Sequence, residues 1–240
     1  MIIGTVSENK DLEKRISITP EIAKKYISNG FEVMIEQDLA SHLGISDKEF
    51  LKEGCKIDSR ENVLNQSNII LQLNLPDEKS TSLLKEDKIL IGNFNSSSNK
   101  EVIAKISNKK INVFSMELLP RITRAQSMDI LSSQANLAGY KAVVDSFAMF
   151  KKAIPMMMTA AGTISAAKVL VVGAGVAGLQ AIATAKRMGA IVFATDVRLA
   201  SKEQVESLGG KFLVVEGAEN LETEGGYAKE ASEEFKKKQE

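Results

Sequence analysis

Hydrophobic and polar positions along this chain switch between two periods. Short apolar runs bounded by turn residues read as strands, and apolar residues recurring at three- and four-residue steps read as helices. Residues 2–6, 31–35, 68–73, 88–92 and 111–116 are predicted strands. Thr19-Pro20-Glu21 opens a helix, with Thr19 as N-cap, proline in the first helical position and an acid in the first turn; Asn29-Gly30 stops it. Residues 46–54 and 99–108 read as further helices. Strands alternating with helices predict a parallel sheet covered on both faces, and no internal repeat interrupts the pattern.

From Ser127 the period lengthens into one long helix reaching about Lys151, with Pro155 as its stop. Met128, Leu131, Ala135, Ala138, Ala142 and Met149 form its apolar stripe, whose small residues suggest close packing between domains. The domain boundary is therefore expected near residue 130, giving domains over 1–130 and 131–240.

The next segment, KVLVVGAGVAGLQAIATAKRMGAIVFATD over residues 168–196, carries the most chemistry. An apolar strand runs into Gly173-Ala174-Gly175-Val176-Ala177-Gly178, then a helical pattern, then a second apolar strand ending at Asp196. Gly173 suits a tight turn, Gly175 a close approach of backbone to a pyrophosphate, and Gly178 close packing of helix on strand. The positive helix N-terminus would face the phosphates. Asp196 stands where a carboxylate accepts the adenine-ribose hydroxyls, each such bond contributing about 1.5–3 kcal/mol. It would repel a 2′-phosphate and so favour NAD(H) over NADP(H). Val197 follows it, and Arg198 softens that repulsion. A plain βα turn is the alternative, because a glycine pattern alone is weak.

Only two more strands, 191–195 and 212–215, follow the fingerprint strand, so the second doubly wound domain reads as truncated. The charged ending GGYAKEASEEFKKKQE carries Tyr227. The fold class is thus α/β, two doubly wound parallel-sheet domains joined by a long helix.

Composition narrows the function. Lys+Arg and Asp+Glu balance at 31 each, which argues against a nucleic-acid partner. At 44% hydrophobic content, 240 residues can bury a sizeable core. The N-terminus does not read as a signal peptide, and no apolar run is long enough for a membrane span. One cysteine, Cys55, rules out an internal disulfide, fits a reducing compartment, and reads as a small buried strand residue. With one cysteine and one histidine, no metal site is expected. His42 sits in a turn-like LASHLGIS and is expected to be structural or exposed. Met156, Met157 and Met158 read as core filler.

Arg121, Arg124, Gln126 and Asp129 form a polar cluster after Pro120, between a strand and the long helix. Such loops bind ligands at strand ends, although an interdomain ion-pair network remains the plainer reading.

Residues 120–144, PRITRAQSMDILSSQANLAGYKAVV, with PMMMTAAGT, the glycine fingerprint and TDVR…KEQVESLGGKF, resemble the NAD(H)-binding component of proton-translocating NAD(P) transhydrogenases. The resemblance implies that Arg121, Gln126 and Asp129 contact the nicotinamide end of NAD(H), with Ser132 toward the carboxamide. It implies that Tyr227 lies on a mobile loop closing over the nucleotide. It further implies NADP(H) held on a partner component, a membrane-spanning component coupling transfer to proton movement, and a homodimer. The location implied is the cytoplasmic face of the inner membrane, reached through those partners.

Alanine dehydrogenases share the architecture and the KRISITP pattern around Arg15 and are the alternative, as NAD-dependent oxidoreductases. Where they grip pyruvate with a lysine before a proline and a histidine one strand on, this chain has LQLNLP with Asn74 and IGNFNSS. A nucleotide-sensing module is the non-enzymatic alternative. Hydride transfer between two nicotinamides carries no separate proton, so a site without histidine suits it. It requires the two C4 atoms roughly 3–3.5 Å apart.

Overall fold

In the computed structural model, residues 1–120 and 122–214 are described. Expectations for Arg121, Tyr227 and the charged ending therefore lie outside the described residues. The chain divides into two compact units, Met1–Asp129 and Ile130–Glu240.

The first unit runs β1 (Ile2–Thr5), α1 (Pro20–Ser28), β2 (Glu32–Glu36), α2 (Asp47–Lys52), β3 (Lys56–Asp58), α3 (Arg60–Gln66), β4 (Ile69–Leu71), α4 (Glu78–Leu83), β5 (Ile89–Gly92), α5 (Lys100–Ser107) and β6 (Asn112–Ser115). Its strands form one six-stranded sheet in the order β3-β2-β1-β4-β5-β6, and every pair is parallel. This is the doubly wound order, with its reversal between β1 and β4. Alternation along β2 shows how both faces are buried. Met34 points into a cluster with Val63, Leu64, Ile70, Leu90, Phe94 and Ile106. Val33 and Ile35 point the other way, onto Ile18, Leu39, Phe50 and Cys55.

Local signals set the helix ends. Thr19 Oγ1 accepts from the Ile22 N–H at 3.4 Å, Ser59 Oγ from Asn62 at 3.3 Å, and Asp77 Oδ1 from Ser80 at 2.7 Å. Elements β3, α3 and α4 lie outside the predicted set; each is short, and α3 and α4 carry few apolar residues. A polar tie holds the loop after β1: Glu13 accepts from the backbone N–H of Arg15 at 2.9 Å and from its guanidinium at 2.8 and 2.6 Å. Those bonds lower the Glu13 pKa from 4.5 to about 2, against the upward push of burial.

The second unit contains α6 (Ile130–Met149), β7 (Met157–Thr159), β8 (Gly162–Ile164), β9 (Lys168–Val172), α7 (Val176–Arg187), β10 (Ile191–Thr195), α8 (Ser201–Ser207) and β11 (Lys211–Phe212). Strands β11-β10-β9 form a three-stranded parallel sheet, and β7 and β8 form a separate antiparallel hairpin.

Three expectations need correction. The long helix starts at Ile130, because residues Thr123–Met128 form a 3-10 turn, and it ends at Met149, ahead of Pro155. Its expected stripe is also displaced. Leu131 and Met149 are 42% and 81% exposed, while Gly139 and Val143 are buried. Polar and apolar residues are spread around the helix with no dominant face, so three- and four-residue steps can be drawn on more than one side. Glycine decides which face packs: a Cβ on Gly139 would stand 2.0 Å from the Ala177 carbonyl oxygen, so α6 crosses α7 of its own unit backbone against backbone. Met156, Met157 and Met158 are 60%, 46% and 72% exposed at the hairpin and do not fill a core.

Two outcomes are expected. Gly139→Ala forces apart a crossing with no room for a methyl and should lower stability by about 1–3 kcal/mol in urea unfolding; an unchanged midpoint would refute the backbone contact. Glu13 has a depressed folded pKa, so its contribution is present above 4.5 and is lost as pH falls through about 2. Glu13→Gln should therefore flatten the stability loss across that window while changing the pH 7 slope little, as read by thermal melts at stepped pH.

Candidate nucleotide-binding site

The glycine fingerprint forms the predicted strand–turn–helix. The Gly173 N–H donates to the Thr195 carbonyl at 2.8 Å, extending the β9–β10 ladder by one bond. The chain then turns through φ 94° at Gly173, a left-handed conformation that favours glycine. Gly175 is the N-cap of α7, and no side chain caps that end or places an acid in its first turn. Gly178 faces back onto the turn, where a Cβ would stand 1.8 Å from the Gly173 carbonyl oxygen. Gly175 differs in kind. Its φ is an ordinary −76°, and a Cβ there would meet nothing within 4 Å. A Cβ on Gly173 would likewise meet nothing within 4 Å, but its φ of 94° still favours glycine.

Open space thus lies before a helix end whose first N–H groups have no side-chain partner among the described residues. That arrangement fits an anion such as a dinucleotide pyrophosphate. Ala174 is buried at 1% exposure, while Gly175 and Val176 are exposed and Ala177 is half-buried against α6.

Parallel pairing sets the acid in place. Val172 lies opposite Thr195, so the residues that follow, Gly173 and Asp196, meet at one end of the sheet. The Ala174 N–H donates to Asp196 Oδ2 at 2.6 Å, tying acid to turn. Arg198 closes on the same carboxylate: its backbone N–H reaches Oδ1 at 2.8 Å, Nε reaches Oδ1 at 2.9 Å and Nη2 reaches Oδ2 at 2.9 Å. The Asp196 side chain is only 5% exposed. Burial pushes its carboxyl up, but the bonds from Arg198 and Ala174 outweigh burial and hold its pKa below the ordinary value. Val197 and Arg198 are half-buried beside it.

The polar cluster after Pro120 is described in part. Gln126 is exposed on the 3-10 turn, Arg124 is exposed, and Asp129 is half-buried at the end of the first unit. The Asp129 N–H donates to the Gln126 carbonyl at 3.3 Å. Ser132 is half-buried in the first turn of α6, in the second unit. Sequence reasoning did not single out Gly139. A lone glycine inside a helical run was the available signal.

A second feature was not anticipated: a cleft of about 430 Å³ at the ends of β1 and β4, lined by Ser7, Glu8, Arg60, Gln72 and Asn74 among others. Several of its polar groups are hydrogen-bonded, whereas the buried Gln72 Oε1 has no partner among the described residues. Asn74 Nδ2 donates to Glu8 Oε2 at 3.2 Å, and Arg60 Nη1 donates to Glu36 Oε2 at 3.0 Å. His42 is exposed, with Nε2 2.8 Å from the Lys14 carbonyl oxygen. Cys55 is buried just before β3, and burial pushes its thiol up to about 11. Among the described residues, no group of three or more potential metal-ligating side chains occurs.

Residues 4–138 match the alanine dehydrogenase/PNT N-terminal domain, and residues 142–239 match the corresponding C-terminal domain. The chain belongs to the alanine dehydrogenase/PNT family. It is 50% identical over 247 residues to an NAD(P) transhydrogenase subunit alpha of Rhodospirillum rubrum, a match covering 100% of this chain and 64% of that relative. Among solved structures it is similar to a transhydrogenase from Sinorhizobium meliloti, with 46% identity, a TM-score of 0.85, and coverage of 90% of this chain and 64% of that one. An L-alanine dehydrogenase shares the fold at 20% identity and a TM-score of 0.75, over 89% of this chain and 60% of that one. The chain thus spans 64% of the length of its transhydrogenase relative.

The glycines separate fold from ligand. Gly175→Val enters open space and should leave thermal stability nearly unchanged, while its side chain fills the position a pyrophosphate needs. Dinucleotide binding, read by calorimetry, should be lost; retained binding would move the ligand elsewhere.

Proposed function

We propose that this chain is the NAD(H)-binding part of an NAD(P) transhydrogenase, working with a separate NADP(H)-binding component and a membrane-spanning one. The observation that carries this reading is the turn at Gly173–Gly178 tied to Asp196, set in a chain 50% identical to a transhydrogenase alpha subunit. NAD(H), when bound, supplies the nicotinamide that exchanges hydride with NADP(H) held on the partner. The chain's own residues bind and orient. The α7 N-terminus takes the pyrophosphate, and Asp196 takes the adenine ribose and disfavours a 2′-phosphate. Arg121, Gln126, Asp129 and Ser132 address the nicotinamide end, and Tyr227, outside the described residues, is assigned to the same nucleotide. No proton has to be moved at the reacting carbon, which agrees with a single histidine engaged on a backbone carbonyl.

Coupling of this exchange to proton movement belongs to the membrane component. Among the described residues no helix of this chain is long and apolar enough to cross a membrane. The chain would sit on the cytoplasmic face of the inner membrane through its partners, as a homodimer. Loss of the pyruvate-gripping lysine, with Asn74 bonded to Glu8 in its place, disfavours an alanine dehydrogenase.

The test is reduction of an NAD⁺ analogue by NADPH, using the full-length component mixed with an NADP(H)-binding component and omitting each in turn. Turnover requiring both is the expected result. Pyruvate- and ammonia-dependent NADH oxidation would replace this reading with the dehydrogenase. Within the assay, Gln126→Ala should slow turnover by at least about tenfold more than it weakens NADH binding. A loss confined to affinity would remove it from the reacting end.

A further inference from the structure

We propose that Arg198 sets the nucleotide preference of this site by competing with the adenine ribose for Asp196. The inference rests on the NAD(H) reading above and concerns the same carboxylate. An ionised carboxylate offers about four acceptor positions. Asp196 fills four: Oδ1 takes the Arg198 N–H and Nε, and Oδ2 takes the Ala174 N–H and Arg198 Nη2. Two of the four are backbone bonds that hold the acid against the turn and the segment after β10. The other two come from the guanidinium, which is attached through a rotatable side chain and is 18% exposed.

A ribose diol can therefore gain this carboxylate only by taking over the two guanidinium bonds. The exchange is nearly even in bond count, so Asp196 adds little net affinity for NAD(H). Its effect lies in discrimination, and there Arg198 acts in the opposite sense. Once displaced, the guanidinium stays within reach of the ribose, tethered two residues from the acid. A cation beside the 2′ position offsets the repulsion between Asp196 and a 2′-phosphate and can bind that phosphate itself. Arg198 thus weakens NAD(H) binding and at the same time makes NADP(H) less disfavoured.

The two effects can be separated by substitution. Arg198→Ala removes both competitor and cation. NADH affinity should rise about three- to fivefold, as expected for loss of one partly exposed ion pair, and NADPH affinity should fall, so that the preference widens by about tenfold or more. Arg198→Lys keeps the charge but cannot make the two-pronged contact. NADH affinity should again rise, with the penalty against NADPH close to wild type. Both variants and the wild-type protein would be titrated with NADH and NADPH by calorimetry, with a thermal melt of each to show that it is folded.

A parallel loss of affinity for both nucleotides on Arg198→Ala would overturn the proposal, making Arg198 a supporting contact. Unchanged affinities in a folded Arg198→Ala would overturn it as well. So would a structure with NADH bound in which both guanidinium bonds to Asp196 persist. Failure of the wild type to bind either nucleotide would overturn the NAD(H) reading and this inference together. The other adverse outcomes leave that reading standing.

Discussion

The candidate nucleotide site depends on the parallel register between β9 and β10. Pairing Val172 with Thr195 brings two points of the chain to the same edge, one where it must turn sharply and one where it can present an acid. Neither point does much alone. The turn needs an acceptor anchored outside itself, and the acid needs a fixed position inside a largely buried setting. The bond from Ala174 to Asp196 satisfies both, at 2.6 Å. A one-residue slip would send Asp196 to the other face of the sheet and leave the Ala174 N–H without that partner.

Helix packing then fixes what the register has placed. Gly178 lets α7 lie directly on the turn it follows, and Gly139 lets α6 lie directly on α7. The two close approaches are successive, so α7 is held from both sides along its first turns. The N-terminal end of α7 is thereby positioned by backbone contacts, which tolerate less movement than side chains do.

How much of this was legible in the sequence follows from how local each signal is. The first helix could be read from Thr19 and Pro20 because cap and first turn are neighbours in sequence. The fingerprint was legible because Gly173 and Gly178 each answer a separate local demand, one for a left-handed turn and one for close packing. Elements β3, α3 and α4 were not, since they are short and the two helices owe their burial to a sheet assembled from distant strands. The stripe on α6 was misplaced because a helix whose polar and apolar residues are mixed around its circumference has no preferred face until something packs on it. The methionines at 156–158 illustrate the opposite error, where an apolar run implied a core and an exposed hairpin formed instead. At the candidate site, Asp196 was visible as an acid at the right spacing. Its saturation by Arg198 was not, because spacing does not reveal which rotamer a guanidinium adopts.

Cys55 has a consequence for the first unit as a whole. It is the chain's single thiol, buried among Ile18, Ala23, Val33 and Phe50, and its ionisation is suppressed until pH about 11. Modification near neutral pH requires that this face of the sheet open first. The rate of labelling therefore clocks the transient opening of one unit only, within these 240 residues and without any introduced probe.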